Sequence, residues 1–374
     1  MPLKWGIIVA FVVTRSALVV LALNAFLHLP HLSGPEYRNI SSNPLVALWH
    51  RWDAGFFTRI ALHGYGWQAG HATGDMTFMP LYPALIRVSL IPYPQADHAN
   101  ATVAGILLSN LCLLASLFVF DALLALDTND LRLRRLAVWL FLMAPVTLFF
   151  SAVYTESLYF LLSLLAIYAA RRARWAVAGL AGLLAAFTRV MGWTLFLPLL
   201  YEAWRQRKGR TLPRWGYLLA AGAPLLAVPL YAGIVGFALG DWNVYLKTTR
   251  AVWEQGFGNP ARAFADFLGG SISLYGWRRS LVDLVFTLLF LALSVPAFRW
   301  RPGYGLYTLA VVGFPVAAGT LISMPRYVAV AFPAYAIVAQ WVRSSRWRAA
   351  LVLAGSALLA AVFAARFVTW RWIA

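Results

Sequence analysis

A single cysteine, Cys112, occurs in 374 residues, which excludes a disulfide framework and any metal site built on thiolates. Charge is scarce as well. Only 12% of residues are Asp, Glu, Lys or Arg, about half the share of an ordinary soluble domain. Acidic residues are scarcest, 13 against 31 basic ones. No internal repeat, low-complexity linker or separate soluble domain is visible. The counterpart of this scarcity is a 61% hydrophobic content, arranged in runs that can cross a hydrocarbon core about 30 Å thick. The runs lie at 5–27, 101–124, 136–170 as a pair, 175–201, 216–239, 281–298, 304–322, 327–341 and 349–367. The expected fold is an all-α polytopic membrane protein, a single membrane-embedded domain over 1–374 with about ten or eleven spanning or half-spanning helices. The first run lacks a small-x-small cleavage site, so it is expected to remain as a span rather than leave as a signal peptide.

A formal charge of +18 raises the question of nucleic acid, but no nucleic-acid-binding motif interrupts the apolar runs. The basic residues gather between runs instead, as RLRR (132–135), RRAR (171–174), WRQRKGR (204–210) and RSSRWR (343–348). The positive-inside rule places all of them in the cytoplasm. With Lys4 also inside, residues 28–100 fall outside. The later clusters stay inside only if 175–201 doubles back, as two short helices that turn near FTRVMGW (187–193), where Gly192 can break the helix. The external loops 28–100 and 240–280 then line the site, the first of them carrying interfacial helices.

The stretch HRWDAGFFTRIALHGYGW (50–67) places a carboxylate within an apolar, aromatic pattern. Read as one helix over 45–63, it puts Leu45, Leu48, Trp49, Trp52, Phe56 and Ile60 on one arc and Ala47, His50, Arg51, Ala54 and Thr58 on the opposite one. Asp53 falls at the apolar margin, where a carboxylate must be neutralised, paired or used. His63, Glu156, Arg189 and Arg326 are expected near the same external face. A blander account pairs Asp53 with Arg51 or Arg59, makes His63 a hydrogen-bonded packing residue, and lets polar residues gather at turns by chance. A carboxylate facing two arginines suits transfer of a sugar from a lipid phosphate to a hydroxyl: Asp53 as general base, Arg189 and Arg326 on the phosphate. His50, Asp53 and His63 do not match a common metal spacing, so neither metal nor other cofactor is expected. A lipid or solute transporter, or flippase, would also use intramembrane charges at half-helices, and a non-catalytic subunit of a glycan machine would tolerate loss of Asp53.

Five blocks resemble one family. RWDAGFFTRIALHGY followed by FMPLYPAL is similar to the W-D-x-x-x-[FY]-x-x-I-A-x-x-G-Y and F-x-P-x-[YF]-P blocks of the GPI mannosyltransferase II (PIG-V-like) family and its bacterial relatives. YTESLYFLLSLLAIYAARR (154–172), AAFTRVMGW (185–193) and MPRYVAVAFPAYAIVA (324–339) resemble its Y-[ST]-E-S-L, T-R-x-x-G and P-R-Y…P blocks, in the same order. The resemblance implies a GT-C-type glycosyltransferase fold, an inverting mechanism, a polyprenyl-phosphate mannose donor, and a catalytic aspartate that maps onto Asp53. Within these blocks Trp52, His63, Tyr65, Glu156 and Tyr327 are the candidates for substrate binding. The expected partners are the lipid-linked donor, a glycan or glycolipid acceptor and membrane lipids, with no nucleic acid. An Ala-, Leu- and Arg-rich composition points to a bacterial cytoplasmic membrane, with the site on its external side. Val190 and Met191 depart from the polar pair usual in the T-R-S-N-G block.

Overall fold

The computed structural model describes residues 3–34, 37–66, 74–207, 213–253, 256, 258–276 and 279–373. Among them there is no β-strand, only an isolated bridge between Ser273 and Ser280. α1 (Leu3–His28) leads into the short helices α2 (Pro44–Ala47), α3 (Ala54–His63) and α4 (Leu81–Ser89). α5 (His98–Leu124), α6 (Leu131–Leu142) and α7 (Glu156–Arg171) then pass back and forth through the bundle. α8 (Trp175–Thr188) and α9 (Phe196–Gln206) follow, separated by a 3-10 turn at Val190–Leu195. α10 (Arg214–Gly222) and α11 (Ala227–Leu239) form one nearly continuous rod, after which come α12 (Val244–Trp253) and α13 (Ala261–Leu268). α14 (Leu281–Trp300), α15 (Pro302–Ala317), α16 (Met324–Val328), α17 (Phe332–Val342) and α18 (Arg346–Val368) complete the described helices. α1, α5, the α10–α11 rod, α14 and α18 are each long and apolar enough to cross a membrane. The chain is an integral membrane protein.

Local chemistry explains where the helices begin. Asp97 accepts from the Asn100 N–H at 2.9 Å while Asn100 Oδ1 accepts from the Asp97 N–H at 3.1 Å, a reciprocal cap that starts α5. Asp130 accepts from the Arg132 and Leu133 N–H groups and starts α6. The doubling back of 175–201 is present. Gln206 Nε2 donates to the Ala170 carbonyl at 2.8 Å, which brings the far end of α9 beside the end of α7. Trp175, at the start of α8, is buried in the same cluster as Ala170, Ala203 and Tyr217. The turn between the two helices needs a glycine, because a Cβ on Gly192 would lie 2.5 Å from the Ala186 Cα.

The basic clusters share one end of the bundle, and there they do more than set topology. Arg134 grips Asp121 at 2.8 and 2.6 Å, Arg171 grips Asp127 at 2.6 Å on both oxygens, and Arg301 grips Glu202 at 2.8 Å on both. Arg343 bonds Asp130 nearby. The first joins the consecutive helices α5 and α6, and the others tie segments 44 to 213 residues apart. Residues 208–210 of the 204–210 cluster lie outside the described residues. Arg15, in the middle of α1, is buried and meets no carboxylate. Its guanidinium donates to the carbonyls of Leu142 (2.7 Å) and Thr147 (3.1 Å) and to the hydroxyls of Thr147 (2.9 Å) and Ser151 (3.2 Å).

Candidate active site

The single helix expected over 45–63 is replaced by two, with a break at 48–53. Trp52 adopts φ 52°, the left-handed region that costs a bulky side chain of order 1 kcal/mol or more. Its ring is held edge-on by Tyr37, Trp370 and Trp372, with centroids 6.1, 5.7 and 5.4 Å away. The break also removes the contrast between the expected faces. Leu48, Trp49 and Ile60 of the apolar arc are buried, but so are His50, Arg51, Ala54 and Thr58 of the opposite one, while Leu45 is exposed. Arg51 donates to the carbonyls of Ala47, His50 and Val368 and to Asn39 Oδ1, and it stacks 4.5 Å from the Trp370 ring. Arg59 is bound to Asp75. Neither arginine is therefore the partner of Asp53, contrary to the blander account.

Asp53 stands just ahead of α3, and its partner comes from the far end of the sequence. Arg326 Nη1 donates to Asp53 Oδ2 at 2.8 Å, and Arg326 Nε donates to Glu156 Oε1 at 3.0 Å. The same Glu156 oxygen lies 2.6 Å from Arg189 Nη1, which also donates to Thr155 Oγ1 at 3.1 Å. Glu156 is fully buried at the first residue of α7, where helix N-terminal N–H groups favour a negative charge. Aromatic faces complete the setting: Arg326 lies 4.5 Å from the Tyr154 ring centroid and Arg189 lies 5.2 Å from that of Tyr327. Several polar atoms are left over. Arg326 Nη2, Arg189 Nε and Nη2, and Asp53 Oδ1 make no hydrogen bond to a described residue.

The element carrying Arg326 is tightly fixed. Ser323 sits at φ 61°, Pro325 occupies the first turn of α16 without losing a needed N–H, and the buried Asp283 accepts from the Met324 N–H at 3.1 Å. Arg189 follows α8 in extended conformation, at the turn that Gly192 permits.

A cavity of about 190 Å³ opens over these groups, and Asp53, Arg189, Arg326 and Tyr327 all line it. Glu156 does not; it braces both guanidiniums from behind. Trp52 is set beside the cavity, in contact with the lining residue Trp372. His63 and Tyr65 are not in the wall: His63 is exposed, 5.8 Å from the His98 ring, and Tyr65 donates to the Phe78 carbonyl at 2.7 Å. Among the described residues, no group of three or more His, Cys, Asp and Glu side chains is placed to hold a metal ion.

A sequence model of one family, Mannosyltransferase (PIG-V), matches residues 8–201 of the 374. The chain belongs to the PIG-V mannosyltransferase family. The blocks that bring Asp53, Glu156 and Arg189 fall inside the matched stretch, and the block that brings Arg326 falls beyond it. No curated protein matches this PIG-V-family chain. Among solved structures it is similar to ArnT from Cupriavidus metallidurans bound to undecaprenyl phosphate, at 16% identity and TM-score 0.48, covering 88% of this chain and 59% of that one. It is also similar to the Archaeoglobus fulgidus oligosaccharyltransferase in complex with zinc and sulfate, at 13% identity and TM-score 0.45, covering 95% and 53%. The PIG-V-family chain thus spans between half and two thirds of the length of these structures, and likenesses this loose carry no argument about its site.

Tyr245, Thr249 and Val252 reach the cavity wall from α12, within the loop 240–280 that was expected to line the site, although none of the three was singled out. Trp372, which reaches it from the segment after α18, was not foreseen: TWRWIA (369–374) reads as an ordinary membrane-interface stretch.

Proposed function

We propose that this protein transfers mannose from a polyprenyl phosphate to a hydroxyl of a glycan or glycolipid acceptor, with inversion, in a GT-C-type architecture. The observation that carries the reading is Arg326 bonded to Asp53 on one side and Glu156 on the other, at the wall of a cavity that also takes Arg189. The donor phosphate rests on the guanidinium N–H groups that Glu156 and Asp53 leave over. Asp53 Oδ1 accepts the proton of the acceptor hydroxyl as that oxygen attacks the anomeric carbon and the bond to the phosphate oxygen breaks.

Charge balance supports this assignment of roles. The two carboxylates and two guanidiniums cancel, so a phosphodiester donor gives the site one net negative charge. After transfer Asp53 is protonated and neutral, while the released phosphate has gained the charge Asp53 lost. The total is unchanged, and Arg326, already in contact with Asp53, stays beside the charge as it moves to the leaving group. No cofactor is required by these steps, since two arginines supply the cationic field that a divalent ion would otherwise bring. The positive-inside rule supports an external site, because the basic clusters occupy the end of the bundle opposite the cavity, and composition supports a bacterial cytoplasmic membrane.

The test is purified protein in lipid, supplied with radiolabelled polyprenyl-phosphate mannose and alkyl glycosides or extracted glycolipids, with and without a chelator. The expected result is a radiolabelled, inverted glycoside formed equally in both. Absence of transfer from this donor to every acceptor would overturn the reading.

A further inference from the structure

The turn that carries Arg326 is held from behind by a residue outside the cavity wall. Asp283 belongs to the first turn of α14 and is 1% exposed. Its Oδ1 accepts from the N–H of Met324, the first residue of α16, at 3.1 Å, while its Oδ2 bonds no described residue. No described arginine or lysine pairs with it. The ground on which Asp283 stands is itself pinned. The Ser280 hydroxyl accepts from the Asp283 N–H at 3.5 Å and donates to the Leu274 carbonyl at 3.0 Å, and Thr287 Oγ1 donates to the Asp283 carbonyl at 2.7 Å.

Across the bond, Ser323 adopts φ 61°, a left-handed conformation that a serine keeps only where its surroundings impose it. The Ser323 carbonyl accepts from the N–H groups of both Arg326 (3.0 Å) and Tyr327 (3.2 Å). The orientation of this one residue therefore sets the direction in which two cavity-lining side chains leave the turn. Arg326 runs to Asp53 and Glu156, and the Tyr327 ring lies against Arg189, its centroid 5.2 Å from the guanidinium carbon. Asp53 and Glu156 fix where the Arg326 guanidinium ends, and Asp283 fixes where its backbone begins.

We propose that Asp283 is a positioning residue for the phosphate site: by accepting from the Met324 N–H it holds the strained Ser323 turn, and with it the aim of Arg326 and of the Tyr327 face against Arg189. The role uses one acceptor oxygen and no charge, since a single oxygen is bonded and no cation answers the carboxylate. With that acceptor gone, the Met324 N–H still has the Leu321 carbonyl at 3.2 Å, so the turn relaxes without stranding a buried donor. What is lost is aim, because hydrogen bonds weaken steeply as donor and acceptor fall out of line. The proposal rests on the reading of Arg189 and Arg326 as the groups that receive the donor phosphate.

The experiment measures polyprenyl-phosphate affinity per folded molecule, alongside thermal unfolding, in wild type and in Asp283→Asn, Asp283→Leu and Asp283→Ala. Asp283→Asn keeps an acceptor oxygen, Asp283→Leu keeps the branched shape without one, and Asp283→Ala keeps neither. Asp283→Leu and Asp283→Ala are expected to weaken polyprenyl phosphate about tenfold, the scale of one charge-assisted hydrogen bond, with Asp283→Asn binding as wild type does. Equal affinity in wild type and Asp283→Leu would overturn the proposal whatever the melting temperature, since Asp283 would then serve stability alone. A loss in Asp283→Asn as large as in Asp283→Leu would also overturn it, because charge rather than an acceptor would be at work. So would failure of both apolar variants to fold. A loss in Asp283→Leu that Asp283→Asn rescues, in a protein that transfers no mannose, would support the positioning role while removing the transferase reading. Absence of polyprenyl-phosphate binding in wild type would overturn both.

Discussion

Both ends of the bundle hold arginines against carboxylates, and they hold them differently. At the end carrying the basic clusters, Arg134, Arg171 and Arg301 each grip both oxygens of a carboxylate of their own. At the cavity end, Arg189 and Arg326 crowd a single oxygen of Glu156, and Arg326 reaches out to Asp53 as well. A two-pronged fork uses the donor geometry of a guanidinium on a partner that never leaves. A shared oxygen leaves donors over, fixed in direction at the cavity wall. On the proposed reading, the difference separates arginines that close the fold from arginines that receive a phosphate.

The largest effect should come from breaking a closed fork. Glu202→Ala leaves the half-buried Arg301 without its carboxylate and should cost about 3 kcal/mol of stability, the low end for a buried pair. Turnover per folded molecule should stay near wild type, and parallel thermal unfolding and transfer assays would check both halves of that statement. At the other end the pattern should invert. Asp53→Asn keeps shape but removes the base, and the transfer rate should fall about 10²-fold or more with thermal stability and polyprenyl-phosphate binding retained. A stable and fully active Asp53→Asn protein would erase the contrast between the two ends. Arg326→Lys replaces a fork with a point charge that cannot face Asp53, Glu156 and a phosphate together, and about a tenfold loss in kcat/KM for the donor is expected.

The smallest effect belongs to the pair at the water's edge. Arg343 and Asp130 are both partly exposed, and Asp130→Asn preserves the helix cap while removing the ion pair, for a cost under about 1 kcal/mol that salt should screen. The Leu133 N–H first, with the Arg132 N–H and Arg343 adding, holds the Asp130 carboxyl below its usual range. Its contribution is therefore present above the ordinary carboxylate value and lost as pH falls through the lowered one. Acid titration of unfolding should show a slightly flatter limb in the Asn variant.

How much of this the sequence disclosed varied by residue. Asp53, Arg189 and Arg326 stood out because an ionisable group is rare in apolar surroundings, and rarity survives without any knowledge of contacts. The doubling back at 175–201 was legible for a related reason, since basic residues on both sides of one short apolar run leave few topologies. The break at 48–53 was not legible. Periodicity assumes a continuous helix, and the left-handed turn at Trp52 is held by Tyr37, Trp370 and Trp372, two of them more than three hundred residues away. Arg134 and Arg171 were taken as topogenic charge because their partners lie 13 and 44 residues off, with no helical spacing to betray them. Glu156 was expected to bind substrate; its burial behind the arginines depends on three helices meeting, which no local pattern records.

Arg15 carries a consequence for how the protein is assembled. Its four acceptors, on Leu142, Thr147 and Ser151, are made more than 120 residues after it. When α1 enters the bilayer it must therefore do so with an unaccompanied guanidinium near its midpoint, at a cost of about 2.5–3.5 kcal/mol that the surrounding apolar residues have to outweigh. Until α6 and the turn after it arrive, α1 is held in lipid by its apolar residues alone, which give it a mean hydropathy of 2.4, with its guanidinium still lacking those acceptors. Their arrival converts the most expensive residue of the first span into the clasp that fixes its depth and rotation. The order of synthesis thus becomes an order of commitment, in which the first helix inserted is not settled until residue 151 of 374 has been made.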